Sequence, residues 1–126
     1  MKEPIRFHHI HFYTPDAKKM QAWYEANFGA ARSKRAHWDS GEIPAANLTH
    51  NPAETAAPTR GRAIDHVGFE IKGLEAFCKK LTDSGIKLDT PYRRVAQINL
   101  ALAFLTDPWG TRIELTEGLD ANDSGK

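Results

Sequence analysis

The stretch FHHIHFYTPDAKKMQAWYEANFG, residues 7–29, decides the fold, because it predicts a β-strand followed at once by a helix. Its first part alternates side chains between two faces, as a half-buried strand does. One face carries His9, His11 and Tyr13, so this strand holds two imidazoles where apolar residues would be buried at lower cost. These histidines are therefore the first candidates for a functional site.

The helix and the segments after it complete a first unit. Asp16 is a start signal, apolar residues then recur at helical spacing, and Gly29 predicts the end of a helix of about three turns. The segments AARSKRAHWDSGE and IPAANLTHN predict strands separated by a turn at Ser40–Gly41. A connection rich in Pro, Ala and Thr follows, which places a boundary near the middle of the chain.

The same pattern begins again in the second half, at IDHVGFEIKGLEAFCKKLTDSGIKL. With an offset of 57 residues, His9 aligns with His66 and Phe12 with Phe69, which indicates an internal repeat. Three more strands are predicted after the second helix, and a tight turn at Pro108–Gly110 joins the last two.

Length and charge restrict the class of protein. A chain of 126 residues, 40% of them apolar, is the size of one compact domain. Lys and Arg number 17 against 16 Asp and Glu, so charge gives no reason to expect a nucleic acid or a membrane surface as partner. The single cysteine, Cys78, and the polar N-terminus predict a cytoplasmic location, and no segment is apolar enough to span a bilayer.

The repeat suggests a metal site. If the two units pair about a pseudo-twofold axis, His9 and His66 can face one shared concavity. Alternation in TRIELTE places Glu114 on the face opposite Ile113 and Leu115. Two imidazoles and one carboxylate form a facial site with open positions, suited to Zn, Ni, Mn or Fe.

The segments HHIHFYTPD, WYEANFGA, IDHVGFEI and FLTDPWGTRIEL resemble the vicinal oxygen chelate superfamily over about residues 5–117. That superfamily includes glyoxalase I, methylmalonyl-CoA epimerase, fosfomycin thiol transferases, extradiol dioxygenases and bleomycin-binding proteins. The resemblance implies an α+β fold in which two paired βαβββ modules form a cupped mixed sheet, usually within a homodimer. Module one then covers about residues 4–50 and module two about 62–118, with a polar tail at 119–126. It also implies that His9, His66 and Glu114 are the metal ligands.

Departures from the known subfamilies leave the subfamily open. Glyoxalase I has a fourth ligand, a glutamate, where this chain has Asn47, whose amide oxygen could bind a metal but which is no carboxylate base. Extradiol dioxygenases carry a further histidine and a tyrosine before the final hairpin; here no histidine follows His66, and Phe104 replaces the tyrosine. The serine-rich potassium loop of fosfomycin thiol transferases has no counterpart.

His11 is the candidate general acid or base. It lies two residues beyond His9 on the same face, about 7 Å along the strand. An imidazole titrates near neutral pH, so His11 could replace the carboxylate that Asn47 lacks. A purely structural role is the alternative.

Weaker candidates are aromatic or basic. Aromatic side chains could line a substrate pocket, with core packing as the alternative: Tyr13, Trp38, Tyr92 and Trp109. Arg32, Lys34 and Arg35 could attract the anionic tail of a thiol or CoA conjugate, although a solvated strand is the preferred explanation. The remaining histidines are expected at the surface: His8, His37 and His50.

The leading interpretation is a divalent-metal-dependent lyase or isomerase of the glyoxalase and epimerase type. The resemblance implies that the metal chelates vicinal oxygens of a small carbonyl substrate and stabilises an enediolate, with Glu114 and His11 as the catalytic residues. Two alternatives stay open: an iron-dependent dioxygenase on the same ligands, and a non-catalytic protein that binds and sequesters a drug-like molecule.

Overall fold

The computed structural model describes residues 4–119 and divides the chain into two units, residues 1–56 and 57–126. The first unit consists of β1 (His9–Thr14), α1 (Ala17–Phe28), β2 (Ala31–Arg35), β3 (Trp38–Ile43) and β4 (Ala46–Pro52). The second consists of β5 (Val67–Glu70), α2 (Leu74–Asp83), β6 (Leu88–Val95), β7 (Leu100–Thr106) and β8 (Arg112–Glu117). The predicted α+β fold with two βαβββ modules is confirmed. The polar tail lies outside the described residues, apart from Leu119.

The two four-stranded sheets share one topology. Their strand orders are β1-β4-β3-β2 and β5-β8-β7-β6. In each sheet the first and last strands of the module are parallel neighbours, and the other pairs are antiparallel. The register places His9 beside Asn47 in the first sheet and Gly68 beside Glu114 in the second. The repeat seen in the sequence is thus a repeat of topology.

Helix α1 begins and ends where its sequence signals predict. The Asp16 side chain accepts the Lys19 backbone N–H at 3.0 Å, and Gly29 closes the helix in the left-handed conformation, with φ of 67°. The buried Tyr24 packs against Phe12, with ring centroids 5.6 Å apart. Because neighbouring residues of a strand face opposite sides, the His11 side of β1 is the face that α1 does not cover.

Helix α2 is capped at its N-terminus by a side chain from β8. Gly73 precedes it and offers no capping side chain, but Glu117 in β8 accepts the backbone N–H groups of Gly73 and Leu74 at 2.7 and 3.1 Å. These two hydrogen bonds hold the pKa of Glu117 below its ordinary value. Glu117 therefore marks the helix-bearing side of the second sheet, and Glu114, three residues earlier, lies on the other side. Within residues 4–119, neither helix has the length and apolar character needed to cross a bilayer.

The predicted turn at Ser40–Gly41 is wrong, because both residues lie inside β3. The turns flank that strand, and Ala36 and Ala45 adopt left-handed backbone there, with φ of 55° and 70°. Gly41 instead permits a close approach: a Cβ at this position would lie 2.9 Å from the Cβ of Ala30. Gly41 is therefore explained by its close packing against Ala30 and not by a turn.

His50 is not the surface residue that its polar neighbours suggested. It is fully buried in β4, between β1 and β3, and its ring stacks on Phe12 and Tyr24 with centroids 5.7 and 5.9 Å apart. Neither ring nitrogen has a hydrogen-bond partner among the described residues, and burial lowers the pKa of His50 to about 4. His8 and His37 are exposed, as predicted.

Candidate functional site

His66, immediately before β5, lies between two carboxylates of the second unit. Its Nδ1 is 2.7 Å from Oδ2 of Asp65, and its Nε2 is 2.9 Å from Oε2 of Glu114. A histidine that binds a metal through one nitrogen generally has its other nitrogen held by a carboxylate, a carbonyl or water. Asp65 holds Nδ1 in this way and leaves Nε2 facing Glu114.

The separation of His66 and Glu114 fits two adjacent ligands of one ion. Metal–ligand bonds of about 2.1 Å at right angles place the two ligand atoms about 3 Å apart, and the distance from Nε2 to Oε2 is 2.9 Å. Imidazole nitrogen and carboxylate oxygen together suit Zn, Ni, Mn or Fe. These residues therefore fit the metal that the resemblance implies. No group of three or more potential ligands is assembled within residues 4–119, so His9 as third ligand stays a prediction.

Asp65 is itself held by three donors. Its Oδ1 accepts the Gly61 N–H at 2.6 Å, and its Oδ2 accepts Nη1 of Arg112 at 3.0 Å as well as His66. These donors, the Gly61 amide foremost, keep the pKa of Asp65 far below its usual range. Asp65 was not among the residues predicted from the sequence, where its signal is an acidic residue directly before a candidate ligand histidine.

Phe104 borders this group from the neighbouring strand. The register of β7 and β8 pairs it with Glu114, and its ring meets the His66 ring edge-on at 5.6 Å. The guanidinium of Arg112 lies 4.2 Å from the Phe104 centroid. Phe104, predicted to stand where dioxygenases have a tyrosine, thus provides apolar and cation–π contacts and no hydroxyl. On the other side of Glu114, Gly68 has no side chain and leaves open space.

His9 is exposed at the start of β1, on the face of the first sheet away from α1. The pKa of His9 is below its ordinary value. The main cause is partial desolvation, and the second is the positive charge of Arg35. A metal binds the neutral imidazole, so a lowered pKa favours the form that a ligand requires.

His11 is held in one orientation by Arg35, Tyr13 and Trp38. Nη2 of Arg35 lies 3.3 Å from Nδ1 of His11. A guanidinium can only donate, so Nδ1 accepts, and a neutral ring carries its proton on Nε2. The ring stacks on Tyr13 at 5.8 Å and meets Trp38 edge-on at 4.9 Å. Nε2 is buried without a partner among the described residues, so in a neutral ring its N–H is an unsatisfied donor.

Asn47 is bonded through both atoms of its amide. Oδ1 accepts the Thr49 hydroxyl at 2.6 Å, and Nδ2 donates to Ser40 at 3.2 Å and to Glu42 at 2.5 Å. These contacts fix the amide and leave its oxygen one further lone pair, so the role of fourth ligand stays a prediction. Glu42, opposite Asn47 in the register, is a carboxylate on the face of His9 and was not among the residues predicted from the sequence.

The four aromatic pocket candidates separate into three places. Tyr13 and Trp38 both contact His11. Tyr92 lines a cavity of about 640 Å³ together with Glu117, on the helix-bearing side of the second sheet and not on the side of Glu114. Trp109 lies in the turn between β7 and β8, where its backbone N–H donates to the Asp107 carboxylate at 2.9 Å. Their pocket roles stay predictions, and Tyr13 and Trp38 are the pair that the structure brings together.

Comparison with known proteins identifies the family of the chain. The family model of the Glyoxalase/Bleomycin resistance protein/Dioxygenase superfamily matches residues 6–115. No curated protein matches the chain. Solved structures show the same fold at low sequence identity, and three of them illustrate its range.

A glyoxalase family protein from Bacillus anthracis is 18% identical, with a TM-score of 0.73 over 93% of this chain and 98% of that one. The genomically encoded fosfomycin resistance protein FosX from Listeria monocytogenes is 18% identical, with a TM-score of 0.75 over 97% and 98%. TioX from Micromonospora sp. ML1 is 14% identical, with a TM-score of 0.72 over 90% and 98%. Because the family model matches most of its length, the chain belongs to the Glyoxalase/Bleomycin resistance protein/Dioxygenase superfamily.

Proposed function

We propose that this protein is a divalent-metal-dependent lyase or isomerase of the glyoxalase and epimerase type, acting on a small carbonyl substrate with two adjacent oxygens. The observation that carries the proposal is the position of His66, with Nδ1 on Asp65 and Nε2 2.9 Å from Glu114. His9, whose lowered pKa favours the neutral ring, completes the proposed ligand set for Zn, Ni, Mn or Fe.

When bound, the metal supplies Lewis-acid polarisation of the substrate oxygens, which stabilises the enediolate left by proton removal next to a carbonyl. His11 supplies a donor on the face that carries His9. In a neutral ring the proton is on Nε2 because Arg35 donates to Nδ1, so His11 suits an oxyanion donor better than a base. A carboxylate base is available on the same face in Glu42, which the Asn47 amide holds.

Metal content tests the proposal. Elemental analysis of protein purified without added metal should find about one ion per chain in the wild type, and Glu114→Gln should reduce metal affinity by at least about tenfold. Glu75→Gln is the matched control, because Glu75 is an exposed glutamate on α2. A wild type that takes up none of the four metals would contradict the proposal. Resident iron would favour the dioxygenase alternative.

A second pair of variants tests the contribution of the first unit. His9→Gln should lose metal as Glu114→Gln does, whereas His37→Gln, at an exposed turn, should retain it. Loss in Glu114→Gln with full retention in His9→Gln would remove His9 from the ligand set and keep His66 and Glu114.

Small-molecule sequestration is the second candidate function. It is favoured by the aromatic group of Tyr13, His11 and Trp38, and FosX, which shares the fold, is named as a fosfomycin resistance protein. Saturable calorimetric binding of bleomycin or fosfomycin by metal-free protein, without turnover, would favour this candidate.

A homodimer, a thiol or CoA conjugate as substrate and a cytoplasmic location remain predictions, and sedimentation would test the dimer.

A further inference from the structure

Three cations lie close together in β2, and their ion pairs distinguish them. Arg32 pairs with Glu25 at 2.8 Å, and Lys34 pairs with Asp39 at 2.8 Å. Arg35 has no carboxylate partner among the described residues, although its side chain is partly buried. It is therefore a cation on the sheet face of His9 and His11 whose charge is not neutralised by a neighbour.

The Arg35 guanidinium is held rigidly along one edge. Its Nε donates to the Thr49 hydroxyl at 2.8 Å, Nη2 lies 3.3 Å from Nδ1 of His11, and its Cζ lies 5.7 Å from the centroid of the Trp38 ring. His11 and Thr49 stand opposite each other in the β1–β4 register, so both contacts lie on the same side. A guanidinium has five N–H groups. The others have no partner among the described residues, so Nη1 can still donate.

We propose that Arg35 binds an anionic oxygen group, a carboxylate or a phosphonate, carried by the substrate. A planar guanidinium recognises such groups with two parallel charge-assisted hydrogen bonds. An anion here would also neutralise a partly buried charge, which is costly to leave unpaired. The inference rests on the proposed function in one respect, since it takes the His9 and His11 face as the substrate face.

The surroundings of Arg35 restrict the ligand further. Tyr13, His11 and Trp38 form an aromatic wall beside the guanidinium, which suits a compact carbon skeleton attached to the anionic group. The substrate class is therefore a small organic acid. Within that class, Arg35 determines specificity for the anionic group. His11 contacts Arg35 and therefore lies beside the carbon skeleton next to that group.

An NMR titration of metal-free full-length protein with acetate and with methylphosphonate tests the proposal. The side-chain N–H resonances of Arg35 and Trp38 should shift and saturate with at least one probe. Arg35→Gln should weaken that binding by at least about tenfold. Arg32→Gln, which removes a guanidinium already paired with Glu25, should bind as the wild type does. The tighter probe identifies the anion as a carboxylate or a phosphonate.

Shifts that do not saturate with either probe, or equal affinity in wild type and Arg35→Gln, would overturn the proposal. Arg35→Lys keeps the charge without the planar fork and should bind with intermediate affinity. It replaces Arg35→Gln if that variant fails to fold by circular dichroism, and wild-type affinity in Arg35→Lys would then overturn the proposal. Because the protein is metal-free, the result is independent of the metal ligands: anion binding by a chain that takes up no metal would reject the proposed function and keep Arg35 as an anion site.

Discussion

The Asp65 carboxylate accepts Nδ1 of His66 at 2.7 Å and, through the same oxygen, the Arg112 guanidinium at 3.0 Å. It therefore joins the residue before β5 to the strand that carries Glu114. Two ligands predicted from separate parts of the sequence are oriented relative to each other, within the second unit, by a residue that is not proposed as a ligand.

Asp65→Asn should weaken metal binding by about tenfold to a hundredfold, because a neutral amide no longer fixes and polarises the His66 ring. Competition with a chromophoric chelator at neutral pH measures the affinity. Asp83→Asn is the control, since that carboxylate pairs with Lys79 on the exposed side of α2. Equal affinities in the two variants would show that Asp65 does not support the site.

His50 should make the protein less stable as pH falls, because its pKa in the folded state is about 4 and its ordinary pKa is 6.5. Between those values the unfolded chain binds more protons than the folded chain. The free energy of unfolding should therefore decrease as pH falls from about 6.5 to about 4, by up to about 3 kcal/mol. Urea denaturation at several pH values measures this decrease.

His50→Phe should remove this part of the pH dependence. It also eliminates two buried nitrogens without partners among the described residues, and a cavity of about 340 Å³ beside the ring gives room for the larger side chain. Its stability at neutral pH should equal or exceed that of the wild type. His37→Gln, at an exposed turn, should keep the wild-type profile. The same acid-induced loss in wild type and His50→Phe would exclude His50 as its source.

Asn47→Asp should destabilise the first unit at neutral pH by about 1–2 kcal/mol. The change removes the amide donor to Glu42 and Ser40 and places two carboxylates within hydrogen-bond distance, where they can share one proton. The sharing raises a carboxyl pKa in the folded state, so stability should recover as pH falls. Adding Glu42→Gln should restore stability at neutral pH, and urea denaturation of the single and double variants measures the coupling. No rescue by Glu42→Gln would contradict this account.

Replacement by alanine should destabilise the protein at one of two sheet glycines and have little effect at the other. Gly41→Ala places a Cβ 2.9 Å from the Ala30 Cβ and should cost about 1–3 kcal/mol. Gly68→Ala meets nothing within 4 Å and should change the free energy of unfolding by less than about 0.5 kcal/mol. Equal changes in the free energy of unfolding of the two variants in urea would show that the contact with Ala30 does not destabilise Gly41→Ala.

Elements with local signals were predictable from the sequence. The alternation in β1, the Asp16 cap and Gly29 are read from consecutive residues, and the repeat then predicted β5 and α2 at the same offset. His66 and Glu114 were found together for the same reason, because alternation and the repeat assign each to a face.

Features that depend on neighbours across the sheet were not predictable. The burial of His50 depends on β4 being a central strand under α1, and the need for Gly41 depends on Ala30. Arg35 could not be distinguished from Arg32 and Lys34 until the pairing of the latter two with carboxylates was visible. A single sequence displays charges but not which of them neutralise one another.

The parallel pairing of β1 with β4 has a consequence for synthesis on the ribosome. The first strand of each module is hydrogen-bonded to the last strand of the same module. Among the described residues, neither sheet contains a strand from the other module. Once residues 1–56 have left the exit tunnel, every strand of the first sheet is available, so this module can form before translation of the second is finished. Nascent chains arrested before β4 would leave β1, with its histidines, without a hydrogen-bonded neighbour.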